Sequence, residues 1–252
     1  MAAIVACALA CRYTFKECNS FLLSNVAACA AALIAESSSG KLDFLVLTQG
    51  MATMQGHTPT VEGLDEKLAL HYYSRVAFAK ALAPMLENAN PGGRVLTVLS
   101  AGVHGTYAGW RDDTAISAAN YSLKNAADGA GFYNDLAVDS LSREHPTLSF
   151  THAAPGFVNT NWGTELNVVL RGVVRCLQPL GKSPAKCAEF MCANLFDPET
   201  ATGFFLMSES AEVAPPRPEH EQAREVVWAH TMDVLSKFAT KPAEDLEPTR
   251  SA

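Results

Sequence analysis

The sequence contains no cluster of basic residues. Its 19 Lys and Arg residues are outnumbered by 26 Asp and Glu residues, which gives a formal net charge of −7. Because phosphate groups are bound by clustered Lys and Arg, this balance excludes nucleic acid as an expected partner.

Long apolar runs are also scarce. Residues 1–10 are apolar, but a transmembrane helix needs ~20 apolar residues. The run has no Lys or Arg in front of it, whereas a secretory signal begins with a positively charged stretch. We therefore predict no membrane partner. A remnant of a core helix fits residues 1–12 better than a degraded signal peptide.

The cysteines lack the spacing of a disulfide framework or a metal site. There are seven of them, an odd number, and no CxxC motif occurs. Cys187 and Cys192 are close together on a predicted helix, at a spacing that suits metal ligands poorly. We interpret the cysteines as reduced, small apolar residues. This interpretation predicts no metal and favours a reducing, cytoplasmic location.

The chain is long enough and apolar enough for one large α/β domain. Its 252 residues are 48% apolar and 18% charged, which argues against wholesale disorder. Short apolar runs alternate with longer amphipathic stretches, a pattern that predicts βαβ units and a parallel sheet. The predicted strands are residues 13–18, 42–48, 94–100, 148–153 and 203–207, and the predicted helices are residues 21–36, 62–87, 120–144, 183–196 and 219–238. Ser20 is the expected N-cap of the first of these helices.

The residues that follow the predicted strands are the candidates for a functional site. Ligands on parallel sheets bind beyond the carboxyl ends of the strands. Gly50, Ser100 and the segment 155–160 come directly after three of the predicted strands. We therefore expect these residues to lie at one edge of the sheet.

These same segments resemble the short-chain dehydrogenase/reductase family. Residues 42–46, followed by Gly50, are similar to the fourth strand of that family, and residues 94–100 resemble the fifth, which ends on the catalytic serine. Residues 155–160 match the family pattern Pro-Gly-x-Val-x-Thr. The stretch YSLKNAAD, which begins at Tyr121, resembles a fungal branch of the family.

The resemblance implies a Rossmann-like, three-layer αβα fold with a mostly parallel sheet. It also implies an NAD(P)-dependent oxidoreductase of a carbonyl or alcohol substrate, with NAD or NADP as cofactor. Ser100 would orient the carbonyl and Tyr121 would supply the proton. Lys124 would lower the pKa of the tyrosine, which is ordinarily about 10.

The resemblance also implies a set of cofactor-binding residues. These residues would line the nicotinamide half of the site: Gly50, Pro155, Gly156, Val158 and Thr160. His71 stands where the family carries an asparagine that holds a proton-relay water. A histidine could serve such a relay, because it titrates near neutral pH, or it could be a satisfied core residue.

The predicted dyad departs from the family's spacing. Tyr121 and Lys124 are related by i,i+3 instead of i,i+4, although such neighbours still touch on a helix. An ungapped register counted back from Pro155 places Asn125 and Gly129 at the dyad positions. Tyr121 and Lys124 are therefore equally consistent with an ordinary first helical turn.

The largest departure is the lack of a glycine-rich loop between residues 1 and 50. Such a loop lets backbone N–H groups meet the cofactor pyrophosphate. The family's first βαβ unit is missing, so we expect an N-terminally truncated domain at 13–210. Residues 211–252 then supply a linker, a C-terminal helix and a polar tail. Residues 13–18 are expected either to pair with residues 42–48 or to pack loosely.

Two functions therefore follow from the sequence. The first is an oxidoreductase whose cofactor binding is weak or lost. The alternative is an inactive relative or truncated gene product that acts, if at all, as a binding protein. A hydrolase is disfavoured, because no Gly-x-Ser-x-Gly motif occurs.

The family commonly forms homo-oligomers through long helices, for which 62–87 and 120–144 are the candidates. Trp110 and Trp162 could line a substrate pocket or simply pack.

Overall fold

The structure is a computed structural model that describes residues 13–161, 163, 166 and 168–238. The predicted remnant helix at 1–12, Trp162 and the polar tail beyond 238 lie outside the described residues.

The centre of the fold is a four-stranded parallel sheet. Its strands are β1 (Phe44–Leu47), β2 (Arg94–Val98), β3 (Ser149–Ala153) and β4 (Gly203–Met207), in the order β1-β2-β3-β4. Arg94 pairs with Phe44 on one side and with Ser149 on the other. Four of the five predicted strands are thereby confirmed, as is the predicted parallel sheet.

Helices connect and flank the strands. They are α1 (Leu23–Glu36), α2 (Glu66–Leu68), α3 (Ser74–Glu87), α4 (Leu123–Glu144), α5 (Val168–Leu177), α6 (Pro184–Ala193) and α7 (His220–Ser236). A five-residue π-helical turn, Ala69–Tyr73, joins α2 to α3. Helix α5 was not predicted, although its apolar residues recur at helical spacing. The other helices confirm the predicted ones to within a few residues at each end.

The two faces of the sheet pack against different helices. One face buries Leu47, Val95 and Phe150 against α3 and α4, while the other buries Leu96 and Met207 against α6. Side chains alternate between the faces along each strand, so a strand that is apolar throughout must be covered on both sides. The result is the expected three-layer, Rossmann-like α/β fold.

The predicted strand at residues 13–18 is wrong. These residues form no strand, and the side chains of Tyr13 and Phe15 are 79% and 89% exposed. Strand β1 therefore has no strand beyond it among the described residues, and Phe44 and Val46 are about half exposed. Of the two alternatives for residues 13–18, loose packing is the one observed.

Helix α1 is capped by a residue far away in the sequence. The backbone N–H groups of Leu23 and Ser24 donate to the Glu62 carboxylate at 2.6 and 2.9 Å. Ser20, the predicted N-cap, instead directs its hydroxyl to the Cys18 sulfur. The prediction was wrong because a carboxylate satisfies two terminal N–H groups at once and also favours the positive end of the helix dipole.

The same use of Glu62 moves the start of the next helix. The predicted helix at 62–87 begins at Glu66, where the Asp65 side chain accepts from the backbone N–H groups of Lys67 and Leu68. An aspartate at this position satisfies N–H groups that have no partner within the helix. Residue 62 is thus free to cap α1 instead of belonging to the helix itself.

Helix α7 packs across α4 through a buried carboxylate. Asp139 on α4 is 1% exposed, and its oxygens lie 2.8 Å from His220 Nε2, 2.6 Å from Arg143 Nε and 3.4 Å from Arg224 Nη1. Nearby, Tyr72 forms a 2.7 Å hydrogen bond with Thr231 of α7. The face of α4 that carries Asp139 is thus covered by a helix of the same chain.

Two glycines provide a matched test of the packing between α3 and β2. A Cβ at Gly93 would lie 2.6 Å from Leu86 Cδ2 and 2.7 Å from the backbone oxygen of Leu42, whereas a Cβ at Gly56 would meet nothing within 4 Å. We expect Gly93→Ala to lower the free energy of unfolding by about 1–3 kcal/mol, because overpacking forces backbone shifts. Gly56→Ala should change it by less than about 0.5 kcal/mol. Urea unfolding measures both, and equal effects would contradict the packing described here.

Candidate active site

A groove opens beside the carboxyl ends of β1 and β2. It has a volume of about 860 Å³ and is lined mainly by apolar side chains of β1, β2 and α6. Four of the predicted cofactor-binding residues line it together: Pro155, Gly156, Val158 and Thr160. The sequence thus identified one wall of a real groove at the edge of the sheet where ligands of such folds bind.

A buried arginine fixes the strand ends beside this groove. Arg75 on α3 is 2% exposed and donates to Thr97 Oγ1 at 2.6 Å, to the Val98 carbonyl at 2.9 Å and to the Gln49 carbonyl at 2.5 Å. Burial lowers the pKa of this guanidinium to about 10. The N–H groups of the planar guanidinium donate to both strand ends at once, and so they link the end of β1 to the end of β2.

His71 holds the loop that contains Gly50. Its Nε2 accepts the Met51 N–H at 2.9 Å, and a Cβ at Gly50 would lie 3.4 Å from the same nitrogen. Burial, followed by the charges of Arg75 and Lys67, lowers the pKa of His71 to about 4. The imidazole is therefore neutral near pH 7, which matches its role as an acceptor for a backbone N–H. Its relay role stays a prediction.

The main-chain oxygen of His71 also has a protein partner. Asn134 on α4 donates to it from Nδ2 at 2.8 Å. This contact joins the π-helical turn to α4 directly.

Gly156 lies in the left-handed region, with φ +67°. A Cβ there would overlap the Glu209 carboxylate, which lies 3.6 Å from Lys182 Nζ. Glycine is required here both for its backbone conformation and for this close approach. The consequence for a ligand is electrostatic, because a carboxylate stands next to the segment predicted to meet the cofactor.

Ser100 is placed by a buried histidine–aspartate pair. Its backbone N–H donates to His152 Nε2 at 3.1 Å, and His152 Nδ1 lies 2.6 Å from Asp135 Oδ1. Since Nε2 accepts, the proton of the neutral ring must be on Nδ1, which donates to the carboxylate. His152 is 0% exposed, so this pair rigidly holds the turn that follows β2. The Ser100 hydroxyl is itself buried and has no hydrogen-bond partner among the described residues.

The structure does not bring Tyr121 and Lys124 together as an acid and its tuning cation. Lys124 Nζ contacts Asp128 instead. Burial, together with the Asp65 carboxylate, raises the pKa of Tyr121 to about 12. In the part of the chain that the structure describes, its buried hydroxyl meets no hydrogen-bond partner. The family's chemistry requires a tyrosine whose pKa is lowered, whereas the pKa of Tyr121 is raised. The roles of both residues stay predictions.

The alternative register offers no better dyad. Asn125 donates from its side chain to the Asn120 carbonyl at 2.7 Å. A Cβ at Gly129 would lie 2.5 Å from Ile116 Cδ1, so the structure has no room for a lysine there.

Sequence reasoning missed the polar residues that surround Ser100. They are His104, Asp128, Asp135 and His152. A signal was present, because Asp128, Asp135 and Asp139 recur at positions that share one face of a helix. Acidic residues on a face that is otherwise buried indicate hydrogen-bonded partners on neighbouring elements.

Comparison with curated proteins gives related oxidoreductases from fungi. An oxidoreductase of Emericella nidulans is 37% identical over 150 residues, which are 60% of this chain and 43% of that protein. A short-chain dehydrogenase/reductase of Talaromyces stipitatus, tropG, is 25% identical over 230 residues, covering 81% of this chain and 67% of that protein. The chain spans less than half the length of the first relatives that it matches. No family model matches the sequence.

Solved structures confirm the fold. A short-chain dehydrogenase from Streptomyces avermitilis superposes with a TM-score of 0.54 at 19% identity, over 93% of this chain and 80% of that one. An NADPH-bound carbonyl reductase from chicken fatty liver gives a TM-score of 0.55 at 12% identity, over 84% and 81%. The fungal relatives and the shared fold confirm the resemblance to short-chain dehydrogenases/reductases. The fungal branch and the N-terminal truncation stay predictions.

Two further observations bear on the setting of the protein. None of the helices in the described part of the chain is long and apolar enough to cross a bilayer. Within that part the cysteines are free thiols, at Cys18, Cys29, Cys176, Cys187 and Cys192.

Proposed function

We propose that the protein is an NAD(P)-dependent oxidoreductase that interconverts a carbonyl and an alcohol in a small-molecule substrate. The observation that carries this proposal is the groove at the carboxyl ends of β1 and β2, with residues 155–160 along one wall. The Rossmann-like fold and the oxidoreductase names of the fungal relatives support it. A cytoplasmic location and a homo-oligomer stay predictions.

The groove fits the nicotinamide end of such a cofactor better than its pyrophosphate. Its apolar walls suit a flat ring. No basic side chain is found among the described residues that line it, and the Glu209 carboxylate stands beside Gly156. When bound, NAD or NADP would exchange a hydride with the substrate. The chain's own residues would orient the carbonyl and move the proton.

Ser100, Tyr121 and Lys124 are the catalytic residues that the family resemblance proposes. Ser100 is supported by its position after β2 and by its unpaired hydroxyl, a polar atom that a substrate oxygen would satisfy. Substrate would reach that hydroxyl only after the residues covering it move aside. Tyr121 would need a positive charge beside its hydroxyl, to lower its pKa, before it could donate its proton near pH 7.

A second candidate function is ligand binding without turnover. The observation that favours it is the Glu209 carboxylate, because a negative charge at this position opposes the approach of a phosphate. A protein of this kind would use the groove for an uncharged apolar ligand.

Titration calorimetry with NADH and NADPH separates the two candidates. Saturable binding at micromolar concentration is expected for the oxidoreductase. Glu209→Gln should then strengthen binding roughly threefold to tenfold, because it removes a like charge beside the phosphates. Glu212→Gln, an exposed acid three positions away, is the matched control. No heat from either cofactor up to millimolar concentration, in the wild type and in Glu209→Gln, would favour the second candidate.

A further inference from the structure

Two cysteines that the proposed function does not use lie side by side along α1. Cys18 Sγ donates to the Asn25 carbonyl at 3.7 Å. In an α-helix the carbonyl of residue 25 is the acceptor for the N–H of residue 29. The Cys18 thiol therefore contacts the turn of α1 that carries Cys29, and the two thiols are hydrogen-bonded to each other. Both are free cysteines.

The pair opens onto a surface cavity of about 380 Å³, far from the groove at the strand ends. One wall of the cavity is residues 16–18, and the other is a face of α1 that includes Asn25 and Cys29. Both cysteines line the cavity and both are partly exposed. A small thiol reagent can therefore reach the two sulfur atoms while the chain stays folded.

The ionisation of Cys18 keeps the pair reduced at rest. Burial, together with the neighbouring Cys29, raises the pKa of Cys18 to about 11, although a hydrogen bond from Ser20 opposes this effect. Near neutral pH the Cys18 thiol is thus protonated, which agrees with the reduced state predicted from the sequence. Thiolates are the attacking species in thiol–disulfide exchange, so the pair requires an oxidant and time to react.

Only weak contacts are seen between residues 16–20 and α1. Lys16 Nζ lies 2.6 Å from Glu36 Oε1, but the two side chains are 27% and 59% exposed, and exposed ion pairs contribute little. The hydrogen bond from Ser20 Oγ to Cys18 Sγ is long, at 3.9 Å. A covalent bond between Cys18 and Cys29 would therefore change how firmly the segment before α1 is held.

We propose that Cys18 and Cys29 form a redox-responsive site, which a low-molecular-weight disulfide such as oxidised glutathione converts into an intramolecular disulfide. One cysteine thiolate attacks a glutathione sulfur, the glutathione S–S bond breaks, and one glutathione leaves. The other cysteine loses its proton and attacks the protein sulfur of the mixed disulfide, so the Cys18–Cys29 bond forms and the second glutathione leaves. The two cysteines lose two protons and two electrons, which reduce the glutathione disulfide to two thiols. This proposal does not depend on the oxidoreductase function.

Peptide mapping after oxidation tests the proposal. The full chain is incubated with oxidised glutathione at about pH 8.5, where more thiolate is present, and the remaining thiols are then alkylated. Trypsin cleaves after Lys and Arg, so Cys18 and Cys29 fall in a single peptide, residues 17–41. We expect this peptide to be two hydrogen masses lighter than its reduced form, with no alkyl group and no glutathione.

The same digest contains an internal control. Cys187 and Cys192 also share one tryptic peptide, but they are five residues apart on α6 and so point about 140° away from each other. Cys187 Sγ also faces the Pro155 carbonyl, at 3.8 Å. This peptide should remain free of a bond between its two cysteines.

Variants identify the two partners and the consequence of the bond. Cys18→Ser should stop at a glutathione mixed disulfide on Cys29, because the second thiol is missing. Cys176→Ser, which removes an exposed cysteine elsewhere, should leave closure unchanged. In the oxidised wild type the backbone amides of residues 13–22 should exchange hydrogen about tenfold more slowly than in the reduced protein. Cys18→Ser should show no such slowing.

Several results would overturn the proposal. They are a peptide 17–41 that carries two glutathiones or two alkyl groups, a bond from either cysteine to a different cysteine, and closure without slower amide exchange. Closure that is equally efficient in urea would also overturn it, because the short separation along the chain would then suffice without the fold. Closure that falls about tenfold in urea, and that slows exchange in the folded chain, supports the site.

Discussion

Asp139→Ala is expected to lower the free energy of unfolding by about 3–5 kcal/mol, the largest effect of any single change considered for this protein. The carboxylate is 1% exposed and holds His220, which is 3% exposed, together with Arg143 and Arg224. Removing it leaves the buried His220 imidazole without its acceptor, while Arg224 keeps its contact with Glu221. Helix α7 should therefore detach from α4 before the sheet unfolds.

Urea unfolding followed by tryptophan fluorescence measures this loss. Asp112→Ala, in an exposed loop, is the control and should change stability by less than about 0.5 kcal/mol.

The free energy of unfolding of the wild type should also fall in acid. Burial raises the pKa of Asp139, but hydrogen bonds from His220 and Arg143 outweigh this effect and lower it to about 2. A lowered pKa stabilises the fold above the unfolded value, and about 2 kcal/mol should be lost as pH falls from 4 to 2. Equal acid sensitivity in Asp139→Ala would contradict the assignment.

The second large effect is expected from Asp135→Ala, which should cost about 2–4 kcal/mol. The variant leaves the Nδ1–H of His152 without an acceptor in a fully buried position. His152 Nε2 accepts the Ser100 N–H, and Asp135 Oδ2 accepts the Gly102 N–H at 3.4 Å. The turn after β2 should therefore loosen together with α4, the helix that carries Asp135.

Asp135→Asn is the graded control for this prediction. The amide oxygen can still accept from His152, so about half of the stability lost in Asp135→Ala should be regained. The downfield resonance of the His152 Nδ1 proton should persist in Asp135→Asn and vanish in Asp135→Ala. If the two variants were equally unstable, the carboxylate would be acting through its charge and not through this hydrogen bond.

The sheet could be predicted from the sequence because its strands are nearly continuous apolar runs. The runs at 94–100 and 203–207 need cover on both faces, and only a layered α/β fold provides it. Residues 13–18 are different, because a short segment with only two aromatic residues fits an exposed coil as well as a strand, and here it leaves the free edge of β1 unpaired among the described residues. Helix α5 was missed although its apolar residues recur at helical spacing, and none of its side chains is buried in the described part of the chain.

The position of the groove could be predicted from the strand ends, but the partners of the candidate catalytic side chains could not. Pro155, Gly156 and Thr160 line the groove as expected, because the end of a strand fixes what comes next. The partners of Tyr121 and Lys124 depend on which residues of other loops fold over α4. Asp65 and Asp128 could not be assigned to them by spacing alone. His104 lies in a loop without periodicity, so only the packing onto Gly131 reveals it.

The π-helical turn Ala69–Tyr73 marks a place where the chain can change in length without disturbing the sheet. This turn carries one residue more than an α-helix would, with the Ser74 N–H bonded to the Ala69 carbonyl. The extra residue is absorbed within the turn, because five residues of π-helix wind through about the same angle as four residues of α-helix. We therefore expect a chain that is one residue shorter here to rewind as regular α-helix, with Arg75 still facing the strand ends that it ties together.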